Sequence, residues 1–157
     1  MIVDPLRDLP GYLLRRASVG AMAKLAARLA TLELRPAEAT VLMVIGANPG
    51  VTQSEIGRLL DIATANMAPL AARLAGRELI VRERVDGRSH GLKLSESGRR
   101  LTQRARGIMD AFEASEILGR IPASQRAAFV NALRALASER GVATNEIRKP
   151  RKAPKTA

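Results

Sequence analysis

A single β-hairpin set into an otherwise helical chain is the feature that most narrows what these 157 residues can fold into. Leu79-Ile80-Val81-Arg82-Glu83-Arg84-Val85 reads as a strand, and His90-Gly91-Leu92-Lys93-Leu94 as its return. Between them Asp86-Gly87-Arg88-Ser89 reads as the turn, because Asp and Gly tolerate the positive φ that tight hairpin turns require. What precedes the hairpin decides its meaning. Two short helices joined by a tight break stand directly before it, so the hairpin takes the place of a wing beside a reading helix.

The helices are marked by their caps and breakers. A first helix is expected over about 8–30, with Leu14, Ala17, Ala21, Leu25 and Leu29 along one apolar stripe. Pro36 suits the first position of a second helix, which carries Val41, Leu42, Val44 and Ile45 and stops at Asn48-Pro49-Gly50. Thr52-Gln53-Ser54-Glu55 is a capping box, Thr52 capping the backbone and Glu55 reaching back. It opens a short third helix with Ile56, Leu59 and Leu60 inward. After a break at 61–63 a fourth helix runs to about Arg77 and buries Leu70 and Leu74. Ser95 caps a long fifth helix over about 96–119, with Leu101, Ala105, Ile108 and Phe112 on one face. Pro122 starts a sixth, bearing Phe129, Leu133 and Leu136 and ending at Gly141. The stretch 148–157 has five basic residues, two prolines and no acid, a composition that predicts disorder.

The expected fold is therefore mainly α, a winged helix-turn-helix with N- and C-terminal dimerisation helices and one β-hairpin wing. Its expected parts are a dimerisation helix over 1–35, the winged helix-turn-helix over 36–98, dimerisation helices over 99–141 and a basic tail over 142–157. Dimerisation is inferred because the long apolar-faced terminal helices would be left partly uncovered by one chain.

Composition removes several function classes. With no Cys, disulfides, thiolate metal sites and thiol redox sensing are excluded, and the lone His90 cannot build a multi-histidine site. Tyr12, Phe112 and Phe129 are the only aromatics, too few to stack single-stranded bases. No paired carboxylates, no Ser/His/Asp constellation and no Gly-rich phosphate loop stand out, so catalysis, a cofactor and a metal are not expected. No apolar run is long enough for a membrane span and no signal pattern opens the chain, which predicts a cytoplasmic protein. The net charge is +11, yet segment 36–98 carries seven basic and seven acidic residues. Local placement of charge, not its sum, must carry the case for a double-stranded DNA partner.

The fourth helix begins with Thr64, Asn66, Met67 and Ala68, the end that lies deepest in a major groove. Asn66 has the chemistry to bond an adenine edge, and Met67 and Ala68 to touch thymine methyls. Equally, Thr64 or Asn66 can cap the helix; with Asn66 as cap, Pro69 would stand third in a short helix, where proline is cheap. Arg73 suits either a phosphate contact or a salt bridge. In the wing, Arg82 and Arg84 share a strand face, and Arg88 projects from the tip beside His90, as for an arginine entering a narrow minor groove. Asp86 fits beside phosphate only as the carboxylate that holds Arg88. The Thr52 end of the third helix can offer N–H groups to a phosphate.

From about Leu9 to Leu136 the order of elements resembles the MarR family of bacterial transcriptional regulators. Leu70, Arg73, Leu74, the segment Glu78-Leu79-Ile80, Arg82, the Asp86-Gly87-Arg88-Ser89 turn and Leu92-Lys93-Leu94-Ser95-x-x-Gly98 carry the resemblance. It implies homodimers interlocked through the first, fifth and sixth helices, a palindromic operator, and a small aromatic or phenolic effector lodged between the dimerisation helices and the reading head. For that effector it points to the N-terminal turns of the first helix. Tyr12, Arg15 and Arg16 lie there, with Arg15 or Arg16 to pair a carboxylate and Met22 and Met43 as adaptable apolar walls. Three departures stand out: Glu78 where the family usually has Gly, Pro69 within the recognition helix, and the absence of the Cys on which the family's oxidation-sensing branch depends. The alternative reading is a winged helix used for protein contacts, or architectural DNA binding without sensing.

Overall fold

The computed structural model describes residues 3–86 and 89–138. It forms two compact units, one reaching to Ile121 and the other beginning at Pro122. In the first, α1 (Pro10–Leu29) continues as a single 3-10 turn, Ala30–Leu32, and ends where Glu33 takes a left-handed φ of 53°. Then come α2 (Pro36–Ala47), α3 (Gln53–Leu60), α4 (Thr64–Gly76), β1 (Ile80–Asp86), β2 (Ser89–Leu94) and α5 (Glu96–Phe112). The helical path goes on past α5 through a wider π turn, Glu113–Ile117, and a 3-10 turn, Leu118–Arg120. The second unit holds a 3-10 turn, Ala123–Gln125, leading into α6 (Arg126–Ser138).

The core of the first unit is built around α2, whose Ala39, Val41, Leu42 and Ile45 are wholly buried. Leu25 and Leu29 of α1, Ile56 of α3, Leu74 of α4, Leu92 of β2 and Ala105 and Phe112 of α5 share that core. Two of the five residues of the expected α1 stripe are thus not core: Leu14 and Ala17 are exposed, while Ala21 is partly buried against the core. Leu59, expected inward, is also exposed, because an eight-residue helix turns only a narrow face, Ile56 and Gly57, toward its neighbours.

Three junctions fix the reading head. The α3 cap forms as its sequence implies: Glu55 N–H donates to Thr52 Oγ1 at 3.3 Å, and Thr52 N–H donates to Glu55 Oε2 at 2.8 Å. The α3–α4 turn closes through Asp61 at φ 54° and an Ile62 N–H to Gly57 carbonyl bond of 2.8 Å. A Cβ at position 57 would stand 3.0 Å from the Ile62 carbonyl, so glycine there lets the turn close tightly. At the α4–β1 junction Glu78 itself adopts φ 56°. Its carbonyl accepts the hydroxyls of Ser95 at 2.6 Å and Ser97 at 2.8 Å, so two serines stabilise a conformation that glycine would adopt without strain. Ser95 Oγ also accepts from Gly98 N–H at 2.9 Å. A Cβ on Gly98 would fall 1.9 Å from the Leu79 carbonyl, which makes glycine obligatory where α5 passes the start of the wing.

The hairpin is antiparallel, with Ile80 opposite Leu94, Arg82 opposite Leu92 and Arg84 opposite His90. The register shifts between Arg84 and Asp86, and Asp86 then pairs with Ser89. The strands thus take in two of the four residues expected as turn. Leu92 is also bonded on its other side: its N–H donates to Val51 O at 2.8 Å and its carbonyl accepts Gly50 N–H at 2.9 Å. This third short pairing fastens the wing base to the end of the α2–α3 link.

Candidate nucleic-acid interface

α4 has two unlike faces. Met67, Ala71 and Leu74 point into the core, whereas Thr64, Ala65, Asn66, Ala68, Pro69 and Ala72 are exposed. The outward face is small and uncharged, and a surface without bulk or charge lets a helix approach base edges closely. Met67 is only 2% exposed, so the expected thymine-methyl contact from its side chain is not available in this conformation. It belongs to the core because α4 begins at Thr64, which puts Met67 in step with Ala71 and Leu74 at helical spacing. Asn66 does not cap the helix. The cap position is Ala63, which makes no side-chain cap bond, and the Asn66 N–H donates to the Ala63 carbonyl at 2.8 Å. Pro69 is consequently the sixth helical residue, deeper than a first-turn proline, and removes the N–H that Ala65 O would have accepted.

Arg73 is exposed on one side yet ion-paired on the other. Its Nε stands 2.9 Å from Oε1 of Glu38, a carboxylate 2% exposed in the first turn of α2. Arg77 donates to the Glu33 carbonyl at 2.6 Å and the Leu32 carbonyl at 3.3 Å. Both arginines lie on the flank of α4 turned toward the α1–α2 link.

On the wing, Arg82 and His90 are exposed. Glu83 and Lys93 form an ion pair on the opposite strand face. The Arg84 and Asp86 backbones hold strand register, but their side chains, together with Gly87 and Arg88, lie outside the described residues, and so does the expected Asp86–Arg88 pairing. The Gly141 helix end and the basic tail lie outside them as well. Thr52 is partly buried and its hydroxyl also donates to Glu55 Oε2 at 2.8 Å. The α3 N-terminus therefore already holds a carboxylate where a phosphate was expected.

The arginines of the first turns of α5 have protein partners. Arg99 and Arg100 both pair with Glu96, Arg106 pairs with Asp110, and Arg104 is exposed. The hydrogen bond from Arg99, then the charges of Arg99 and Arg100, hold the Glu96 carboxyl below its ordinary value.

Of the expected effector residues, Tyr12, Arg15 and Arg16 come together, with Val19 and Gly20, around a shallow groove of about 360 Å³. The Arg16 guanidinium carbon stands 5.7 Å from the Tyr12 ring centre, and Arg16 pairs with Asp4 at 3.8 Å. Met43 is not among them: it lines a second groove of about 330 Å³ with Gly46, Ala47, Leu94, Thr102 and Gln103. Met22 is exposed on α1 and lines neither. One chain thus does not assemble the five into a single pocket, because α1 exposes its N-terminal half instead of turning it toward α2.

The reasoning from sequence missed Glu38, whose only signal was its position three residues after Arg35, the spacing at which a carboxylate reaches back to the helix cap. It also missed Ala65 and Ala72, whose value lies in being small. Among the described residues no group of His, Asp and Glu is placed to hold a metal, and no helix is long and apolar enough to cross a membrane.

The family model described as MarR family matches residues 32–89, from the α1–α2 link to the wing turn. No curated protein matches the chain. Among solved structures the chain is similar to the transcriptional repressor CouR bound to a 23-mer DNA duplex, at 32% identity, over 87% of this chain and 98% of that one, with a TM-score of 0.80. It is similar to CouR bound to p-coumaroyl-CoA at 32% identity, over 88% and 99%, with a TM-score of 0.76. A Mycobacterium tuberculosis MarR family protein in complex with salicylic acid is 28% identical over 83% of this chain and 98% of that one, with a TM-score of 0.67.

Proposed function

The chain belongs to the MarR family, and from that premise we propose that it is a homodimeric transcriptional repressor of a palindromic operator, released by a small acidic effector. The observation that carries the reading is α4 itself, which stands beside the wing and turns an uncharged face of Thr64, Ala65, Asn66, Ala68, Pro69 and Ala72 outward. In this reading Asn66 bonds a base edge and Thr64 and the alanines approach thymine methyls. Arg82, Arg84 and Arg88 of the wing enter the flanking minor groove, with His90 beside a phosphate and Asp86 steadying Arg88. Two reading heads of a dimer then meet successive major grooves about 34 Å apart.

Residues 1–35 and 99–141 serve as dimerisation elements around the 36–98 head, and the site of action is the cytoplasm. CouR with p-coumaroyl-CoA and the mycobacterial protein with salicylic acid support an aromatic acid, or its thioester, as effector. Arg15 and Arg16 are suited to its negative charge and Tyr12 to its ring, with Met22 and Met43 brought in from other surfaces of the dimer. To release DNA the effector must bind the non-reading conformation more tightly, since equal affinity for both shifts nothing.

The test is a gel-shift titration with the DNA upstream of the protein's own gene, at two salt concentrations, for wild type and the Arg84→Ala/Arg88→Ala variant. Sequence-selective binding that the variant loses is expected. Weak binding to any duplex, equal in both proteins and abolished by salt, would overturn the reading.

A further inference from the structure

Among the described residues Glu38 is the one charged side chain wholly removed from water. A buried carboxylate is tolerated only when its charge is met, and two donors meet this one: Arg35 N–H at 2.8 Å on Oε2 and Arg73 Nε at 2.9 Å on Oε1. The first is local, within the α2 cap. The second crosses from α4 to α2. Four residues on, at the C-terminal cap of α4, Arg77 makes the same kind of crossing, to the carbonyls of Leu32 and Glu33. The i, i+4 spacing sets both arginines on one flank, so α4 is fastened at two points to the segment where α1 hands over to α2.

For Arg73 to reach a phosphate it would have to leave Glu38 buried and unpaired, the arrangement that costs most among ion-pair losses. We propose that Arg73 is a positioning residue: through Glu38 it fixes the orientation of α4 against α2, and it does not contact the DNA backbone. This rests on the reading of α4 as the DNA-facing helix. It also makes the α1–α2 junction a place from which a displacement of either helix is passed directly to the reading surface.

The two roles of Arg73 predict opposite signs for Glu38→Gln. A phosphate-binding arginine restrained by Glu38 would be freed, and the protein would gain a positive charge, so binding would tighten and the salt dependence would steepen by about 0.9 in log K against log salt. A positioning pair would be loosened instead. The experiment measures affinity for a duplex that the wild-type protein selects from a random pool, over a range of salt, for Glu38→Gln, Arg73→Gln and the double variant. Thermal melts confirm that each folds. Expected is a loss of about threefold to thirtyfold for each single variant, with the salt slope unchanged and affinity for unselected duplex retained. The double variant, with two amides left to bond each other, loses less than the two singles combined. A slope lowered by about 0.9 in Arg73→Gln, or tighter binding by Glu38→Gln, overturns the proposal.

Hydrogen exchange on the free proteins decides it without DNA. Glu38→Gln should speed exchange along Thr64–Gly76 more than in α5, and wild-type protection throughout α4 would sink the positioning role. If the wild-type protein enriches no sequence, the repressor reading fails, while the exchange result still decides whether the pair holds α4.

Discussion

The two halves of α1 carry the same apolar spacing and meet opposite fates. Leu25 and Leu29, in the C-terminal half, are buried at 4% and 0% exposure beside α2 and α5. Leu13, Leu14 and Val19, in the N-terminal half, remain 46–63% exposed. A continuous stripe therefore specifies two surfaces. One is finished by the chain's own core, and the other has the character of a surface finished by a second copy. The groove lined by Tyr12, Arg15 and Arg16 also lies on the open half of α1, so in the proposed reading completion of that groove and completion of a dimer are the same event.

The largest effect expected from breaking the comparison is at its buried end. Leu29→Ala should cost about 3 kcal/mol of unfolding free energy, because a wholly buried leucine leaves a cavity when truncated. Urea titrations at several protein concentrations should give the same shift in the part of the transition that does not depend on association. A loss below about 1 kcal/mol would mean that this half is not core in solution.

The open end should answer differently. Leu14→Asp leaves the core of the first unit intact and should weaken self-association by about tenfold or more, as the apolar burial of one leucine suggests. Sedimentation velocity across a concentration series is the measurement. A variant that associates like wild type would show that this half of α1 is not the dimer surface, and the comparison would lose its meaning.

What the sequence made legible was local. The Thr52–Glu55 cap, the antiparallel pairing of the two wing strands and the Ser95-x-x-Gly98 step each depend on residues close in sequence, and each formed. Errors came where the deciding neighbour was distant or a boundary was uncertain. Met67 passed for a surface residue because it lies in the first turn of the reading helix; its spacing from Ala71 and Leu74 places it in the core. Glu78 looked like a defect at the helix end, since the serines that bond its carbonyl arrive from beyond the hairpin. The Glu38–Arg73 pair spans two helices, and no spacing rule within either predicts it. Leu14 and Leu25 read alike because periodicity reports that a face is apolar and is silent on what will cover it.

The smallest effect sharpens the comparison from the side of charge. The buried half of α1 is tied to the π turn after α5 by Glu116, which takes Lys24 Nζ and Arg28 Nη2 at 2.8 Å each, with Arg120 at 3.2 Å. Arg28 also lies over the Phe112 ring, 5.4 Å from its centre. The hydrogen bond from Lys24, followed by the charges of Lys24, Arg28 and Arg120, holds the Glu116 carboxyl below its ordinary value in the folded chain. Between that lowered value and the unfolded one, the unfolded chain binds a proton that the folded chain does not, so stability rises with pH through the interval. The contribution is complete above the unfolded value and is lost as pH falls through the folded one. Glu116→Gln should therefore melt slightly below wild type at neutral pH and converge with it in acid, and added salt should shrink the difference because the cluster is open to water. A gap that persists unchanged into acid would assign the effect of Glu116 to packing, leaving the buried half of α1 held by its leucines alone.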